Sequence, residues 1–189
     1  MMAGGGFTPP APIFAKPMTL SAEEEKRYAE LQAMALDAAR HGDLEALEPM
    51  LEAGMPVNLR DEKGNTLLML AAYHGHPQTV WALLRRDAEV DTRNDREQTP
   101  LAGVAFKGHL DVAKLLLDAG ADPVADQGGG RTPVMFAAMF GHLEMVKLLE
   151  ATAVKQGWRK SSLGWLARVM AIPRVLFFRK IMKPSVAAR

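Results

Sequence analysis

From Ser21 onward the apolar residues of this chain fall into short blocks, and the blocks repeat. MALDAARHG (34–42), LLMLAAYHG (67–75), PLAGVAFKG (100–108) and PVMFAAMFG (133–141) are four copies of one nine-residue unit. Their closing glycines, Gly42, Gly75, Gly108 and Gly141, follow one another at intervals of 33 residues without insertion. A period of that length predicts a solenoid, because each unit cannot bury its apolar face alone and must stack on its neighbour.

Within a repeat the pattern predicts two antiparallel helices and a loop. In the third copy Thr99-Pro100 opens the first helix, with proline where no N–H is needed. Gly108-His109 ends it, and LDVAKLLLDAG then places Val112, Leu115, Leu116 and Ala119 on one helical stripe. Gly120 closes this second helix as a left-handed cap, and Asp87 stands at the same place in the second copy. Ala71-Ala72, Val104-Ala105 and Ala137-Ala138 supply small residues where helices approach closely. Ahead of the first copy, Ser21 with Glu24 reads as a capping box. It starts a helix running to about His41, with Tyr28, Leu31, Met34, Ala35, Ala38 and Ala39 as its apolar stripe.

These residues resemble the ankyrin-repeat family. TPLAGVAFKGHLDVAKLLLDAGAD (99–122) and TPVMFAAMFGHLEMVKLLE (132–150) follow its pattern, as do GNTLLMLAAYHGH (64–76) and DAARHGDLEALEPMLEAG (37–54). The likeness covers roughly residues 34–152 and extends to the small ankyrin proteins of bacteria. It implies an all-α solenoid of stacked helix-turn-helix units joined by hairpin-like loops. It also implies a protein-binding module that works through its loop tips and concave face. The histidine common in the TPLH stretch is replaced by Met69, Ala102 and Met135, and the fourth copy carries Ala153 at its closing position. No fifth copy follows in phase, since Trp165 and Arg174 occupy the threonine and glycine positions.

Composition divides the chain into three parts. Residues 1–20 hold four prolines and three consecutive glycines, and are expected to be disordered. Residues 21–154 form the array, and 155–189 a basic amphipathic segment. Residues 1–150 carry 14 Lys+Arg against 22 Asp+Glu, whereas 151–189 carry nine basic residues and no acid. With no cysteine there are no disulfide or thiolate sites, and without a signal-like or transmembrane stretch the expected location is the cytoplasm. A monomer is expected.

Candidate chemistry narrows rather than widens the picture. His76, His109 and His142 recur 33 residues apart. Stacked helices lie about 8–10 Å apart, too far for equivalent side chains to share one zinc with bonds of about 2 Å. The resemblance instead implies that each histidine bonds across its inter-repeat loop. Gly128-Gly129-Gly130 lacks the preceding strand and the lysine a phosphate loop needs. No nucleophile–base pair stands out, so neither catalysis, cofactor nor metal is expected.

What remains is surface. The resemblance points to the tips, where Arg60, Glu62, Lys63 and Asn65 are followed by Arg93, Asp95, Arg96 and Gln98. It also points to the first-helix ends, with Arg40 and His41, Tyr73 and His74, Phe106 and Lys107, then Met139 and Phe140. Tyr73, Phe106 and Phe140 place aromatics on or near one face of three repeats, either as interface anchors or as packing between repeats. In the last segment, Trp158, Trp165, Leu166, Val169 and Met170 recur at helical spacing beside Arg159, Lys160 and Arg168. Phe177 and Phe178 follow with Arg179 and Lys180. Such a segment suits a cap on the solenoid's open end, or docking on an anionic membrane or on a partner. The membrane role makes the chain an adaptor anchored by this segment, while nucleic acid is not favoured, for no recognised binding module accompanies the charge.

Overall fold

The computed structural model describes residues 21–157, which form eight helices: α1 (Ala22–His41), α2 (Leu44–Glu52), α3 (Leu67–His74), α4 (Pro77–Leu84), α5 (Pro100–Lys107), α6 (Leu110–Asp118), α7 (Pro133–Met139) and α8 (Leu143–Lys155). The first helices stack in one layer, α1 on α3, α3 on α5 and α5 on α7. The second helices make the other, α4 on α6 and α6 on α8. Strand-like pairing among these residues is limited to an isolated antiparallel bridge between Arg60 and Thr66 in one loop. The chain is thus the all-α repeat solenoid that the period predicts.

Local chemistry sets the helix ends. Ser21 Oγ accepts from the Glu24 N–H while Glu24 accepts from the Ser21 N–H, so the capping box is formed. Thr66 and Thr99 cap α3 and α5 through their hydroxyls. Gly42, Gly75 and Gly108 end α1, α3 and α5 at φ +74°, +79° and +82°, where a side chain is strained. Asp87 takes the left-handed conformation at φ +59°, as Gly54 and Gly120 do at the same repeat position. Ala153 lets α8 run on to Lys155, one residue past the expected boundary at 154, and Gly157 then turns the chain at φ +90°.

Between the layers lies one continuous apolar core in which Leu47, Leu67, Leu68, Leu83, Leu101, Leu116 and Leu149 have no exposed surface. Successive repeats interlock at their glycines. A Cβ at Gly42, Gly75 or Gly108 would stand 2.5, 2.8 or 2.6 Å from the ring of His76, His109 or His142. The ring nitrogens of His76 and His142 then meet the carbonyls of Arg40 and Phe106 at 2.9 and 3.0 Å. His109 departs from the expectation: its ring sits further from its glycine than the other two, and its buried Nε2 has no partner. Repeat one carries Asp43 at this position and has no repeat before it to meet, so the carboxylate caps α2 instead, accepting from the Ala46 N–H at 3.0 Å. Met34 also corrects the expected stripe. It is 55% exposed, while Leu67, Pro100 and Pro133 at the same position are buried, because no earlier repeat covers α1 on that side.

The two closing positions make opposite predictions. Gly120 has open space around it, so Gly120→Val should lose stability through backbone strain alone, about 1–2 kcal/mol. Asp87→Gly should leave the denaturant midpoint unchanged or slightly raised. The reverse order in chemical denaturation would contradict the assigned repeat register.

Candidate functional site

The loop tips and the first-helix layer enclose an open trough of about 560 Å³. Its floor is α3 and α5, which expose Tyr73, His74 and Phe106, with Phe136 of α7 beyond them. Its walls are the tips, carrying Asp61, Glu62 and Lys63 on one and Asn94, Asp95 and Arg96 on the next. Arg40 reaches it from the end of α1.

An aromatic run leads out of this trough, which Tyr73 and Phe106 line and Phe140, Lys107 and Met139 do not. Tyr73 and Phe106 stack with centroids 6.4 Å apart at 13°, and Phe106 meets Phe140 edge to face at 4.3 Å and 61°. Tyr73 is 39% and Phe140 47% exposed, with Phe106 half-buried between them. The rings pack on one another across repeats and still leave ring surface open. Lys107 lies over the Tyr73 ring at 5.1 Å, a cation–π contact that directs the tyrosine face. Met139, at the repeat position of Tyr73 and Phe106, is exposed at the end of α7.

Gly103 explains how Tyr73 reaches its place. A glycine inside a helix costs about 1 kcal/mol relative to alanine. Here a Cβ would stand 3.2 Å from Cδ2 of Tyr73, so the missing methyl lets the ring lie flat on α5. A lone glycine in a helical block is the signal in the sequence that marks such a close approach.

Two of the expected surface cations have other work. Arg60 donates to the carbonyls of Gly64 and Arg93, and Arg93 donates to those of Glu97 and Asp126. Each guanidinium thus staples its own tip to the tip of the following repeat. Lys63 and Arg96 remain exposed on the trough wall, and neither Arg60 nor Arg93 lines it. Beneath them runs a polar ladder that the motif reading passed over. Asp61 accepts from the Lys63 and Asn65 N–H groups, Asn94 Nδ2 donates to Asn65 Oδ1 at 2.9 Å, and buried Gln127 Oε1 accepts from the Thr99 N–H at 2.7 Å. Asp61, Asn94 and Gln127 share one repeat position, which is the signal that links them.

The site's electrostatics are mixed. Burial works to raise the Asp61 pKa, but the Asn65 amide, the Asn65 and Lys63 N–H groups and the Arg40 cation outweigh it and hold it below the usual value. His74 is held below the usual imidazole value by burial first and then by nearby cations, Arg40 and Lys107 among them. Among the described residues no group of three or more histidines and carboxylates is placed to hold a metal ion. Trp158, Arg159, Lys160, Trp165, Arg168, Phe177, Phe178, Arg179 and Lys180, expected to dock on a membrane or partner, and residues 1–20, expected to be disordered, lie outside the described residues.

Comparison with known proteins agrees with this architecture. A family model described as ankyrin repeats in three copies matches residues 35–127 and 94–156. An ankyrin repeat protein of Pseudomonas aeruginosa is 54% identical over 35 residues, which are 18% of this chain and 20% of that protein. The match therefore spans only a fifth of that relative's length.

Gly103→Ala separates fold from site. The Tyr73 ring is the outer end of a flexible side chain and should give way, so the variant should gain up to about 1 kcal/mol from helix propensity. The tyrosine near-ultraviolet dichroism should change at the same time. A fall in the denaturant midpoint would show instead that Tyr73 is fixed in place.

Proposed function

The chain belongs to the ankyrin-repeat family, whose repeats generally act as protein–protein interaction modules, and from that premise we propose that it binds a partner protein without catalysis, through the trough between its tips and its first-helix layer. The aromatic run Tyr73–Phe106–Phe140 carries this reading. Rings on three successive repeats, already packed on one another, lose little conformational entropy when a partner covers them, and aromatic anchors dominate interface energies. Lys63, Arg96 and Arg40 stand among Asp61, Glu62 and Asp95 around that apolar strip. The partner that fits is a protein surface presenting an apolar side chain between charges of both signs, arranged to meet them.

The trough is too open to bury a small molecule on all sides, and its charges alternate in sign, which disfavours a polyanion such as nucleic acid. No helix among the described residues is long and apolar enough to cross a membrane. The membrane alternative draws on the basic, aromatic residues 158–189.

Replacing Tyr73, Phe106 and Phe140 together by alanine tests the reading. Affinity capture with the wild-type chain from its native cell identifies the partner, and titration then compares the two proteins. Each exposed anchor should cost about 2 kcal/mol of affinity, and far less of folding stability. A collapsed melt with unchanged affinity in the surviving folded protein would make these rings core residues and nothing more.

A further inference from the structure

Among the described residues the last repeat leaves apolar surface open. Met55, Ala88 and Ala121 occupy one repeat position and are 3%, 8% and 0% exposed, whereas Val154 at that same position is 44% exposed. Met69 and Ala102 are buried, yet Met135 in the fourth copy is only half-buried. Only the last copy differs, so what its surface lacks is a following repeat. On α8 of this copy Leu143 and Val154 are 43% and 44% exposed, and a terminal repeat requires a cover.

We propose that residues 158–189 of the same chain dock on this face and serve as its cap, with Trp158 and Trp165 set against Val154 and Leu143. The segment follows directly on Gly157, whose left-handed conformation turns the chain at the end of α8, the helix that carries Leu143 and Val154. Charge is complementary: residues 158–189 carry eight Lys+Arg and no acid, while 21–157 carry 14 Lys+Arg against 22 Asp+Glu. Attraction of this kind is screened beyond about 8 Å at physiological ionic strength, so it draws the segment in without holding it. The hold comes from apolar contact, for which the helically spaced Trp158, Trp165, Leu166, Val169 and Met170 are suited. The charge asymmetry, the out-of-phase sequence after residue 157 and the exposed Val154 then have one common explanation.

The chain has three tryptophans, and the other, Trp81, is exposed on α4, so Trp81→Phe in the full chain leaves Trp158 and Trp165 as the only indole reporters. The free protein should show blue-shifted emission and acrylamide quenching several-fold weaker than free N-acetyltryptophanamide. Both should be independent of protein concentration and persist at physiological salt. Val154→Lys in that background should move emission to the red and raise quenching, and Leu143→Lys, checked for a cooperative melt, should do the same. Quenching as strong as the free indole would overturn the cap. Protection that appears only with anionic phosphatidylglycerol vesicles would overturn it in favour of a membrane surface. Protection that grows with protein concentration would overturn it in favour of a second copy. Protection unmoved by both lysine variants would place the indoles elsewhere and also overturn it.

Discussion

A histidine ring from each repeat lies in the space left by a missing side chain on the repeat before it. Gly42, Gly75 and Gly108 must be glycine twice over, once for a left-handed backbone and once because a Cβ would stand within 3 Å of an imidazole. Glycine and histidine are 34 residues apart in each case, so the contact recurs in one register along the array. The series also explains its own ends. Repeat one has Asp43 in place of histidine and uses it as a helix cap. Gly141 has the same left-handed backbone at φ +78°, but the residue 34 positions on is Val175, and the sequence pattern stops.

The register set at the glycines is carried outward to the tips. Since each repeat sits at a fixed offset, Arg60 meets the Arg93 carbonyl and Arg93 meets that of Asp126, both 33 residues along. The tips then stand in a row and wall the trough, and the rings of Tyr73, Phe106 and Phe140 fall into contact across three repeats. The joint between the second and third repeats lacks one of these hydrogen bonds, because the buried Nε2 of His109 has no partner where its counterparts meet a carbonyl. Asp91 carries a related cost. Burial first, and the Asp122 carboxylate after it, outweigh the Asp122 N–H and hold Asp91 above the usual carboxylate value. With the folded pKa raised, the stability it contributes is present at low pH and is lost as pH rises through that value.

Most of the fold was legible from the sequence because the period repeats one structural decision four times. The helix starts at Ser21 and Thr99, the left-handed Asp87 and the small residues at helix crossings all follow from local chemistry and appear as read. What escaped depends on neighbours. Met34 carries the right spacing for a core stripe but lies on the side of α1 that no repeat covers. Arg60 and Arg93 look like free tip cations until the next tip's carbonyls are placed beside them. The trough was half legible: its aromatics and exposed cations are readable from repeat position. The parts played by Gly103 beneath Tyr73 and by the Asp61–Asn94–Gln127 ladder need the third dimension.

A double-mutant cycle on Gly108 and His142 tests the interlock most directly. Gly108→Ala alone should be destabilised by left-handed strain and by a methyl placed 2.6 Å from the imidazole. His142→Ala alone should lose the bond to the Phe106 carbonyl. In the double variant the methyl no longer meets a ring, so the combined loss should fall short of the sum by about 1 kcal/mol or more, beyond the additivity of independent sites. Losses that simply add in denaturant titrations would mean that ring and glycine do not share the space.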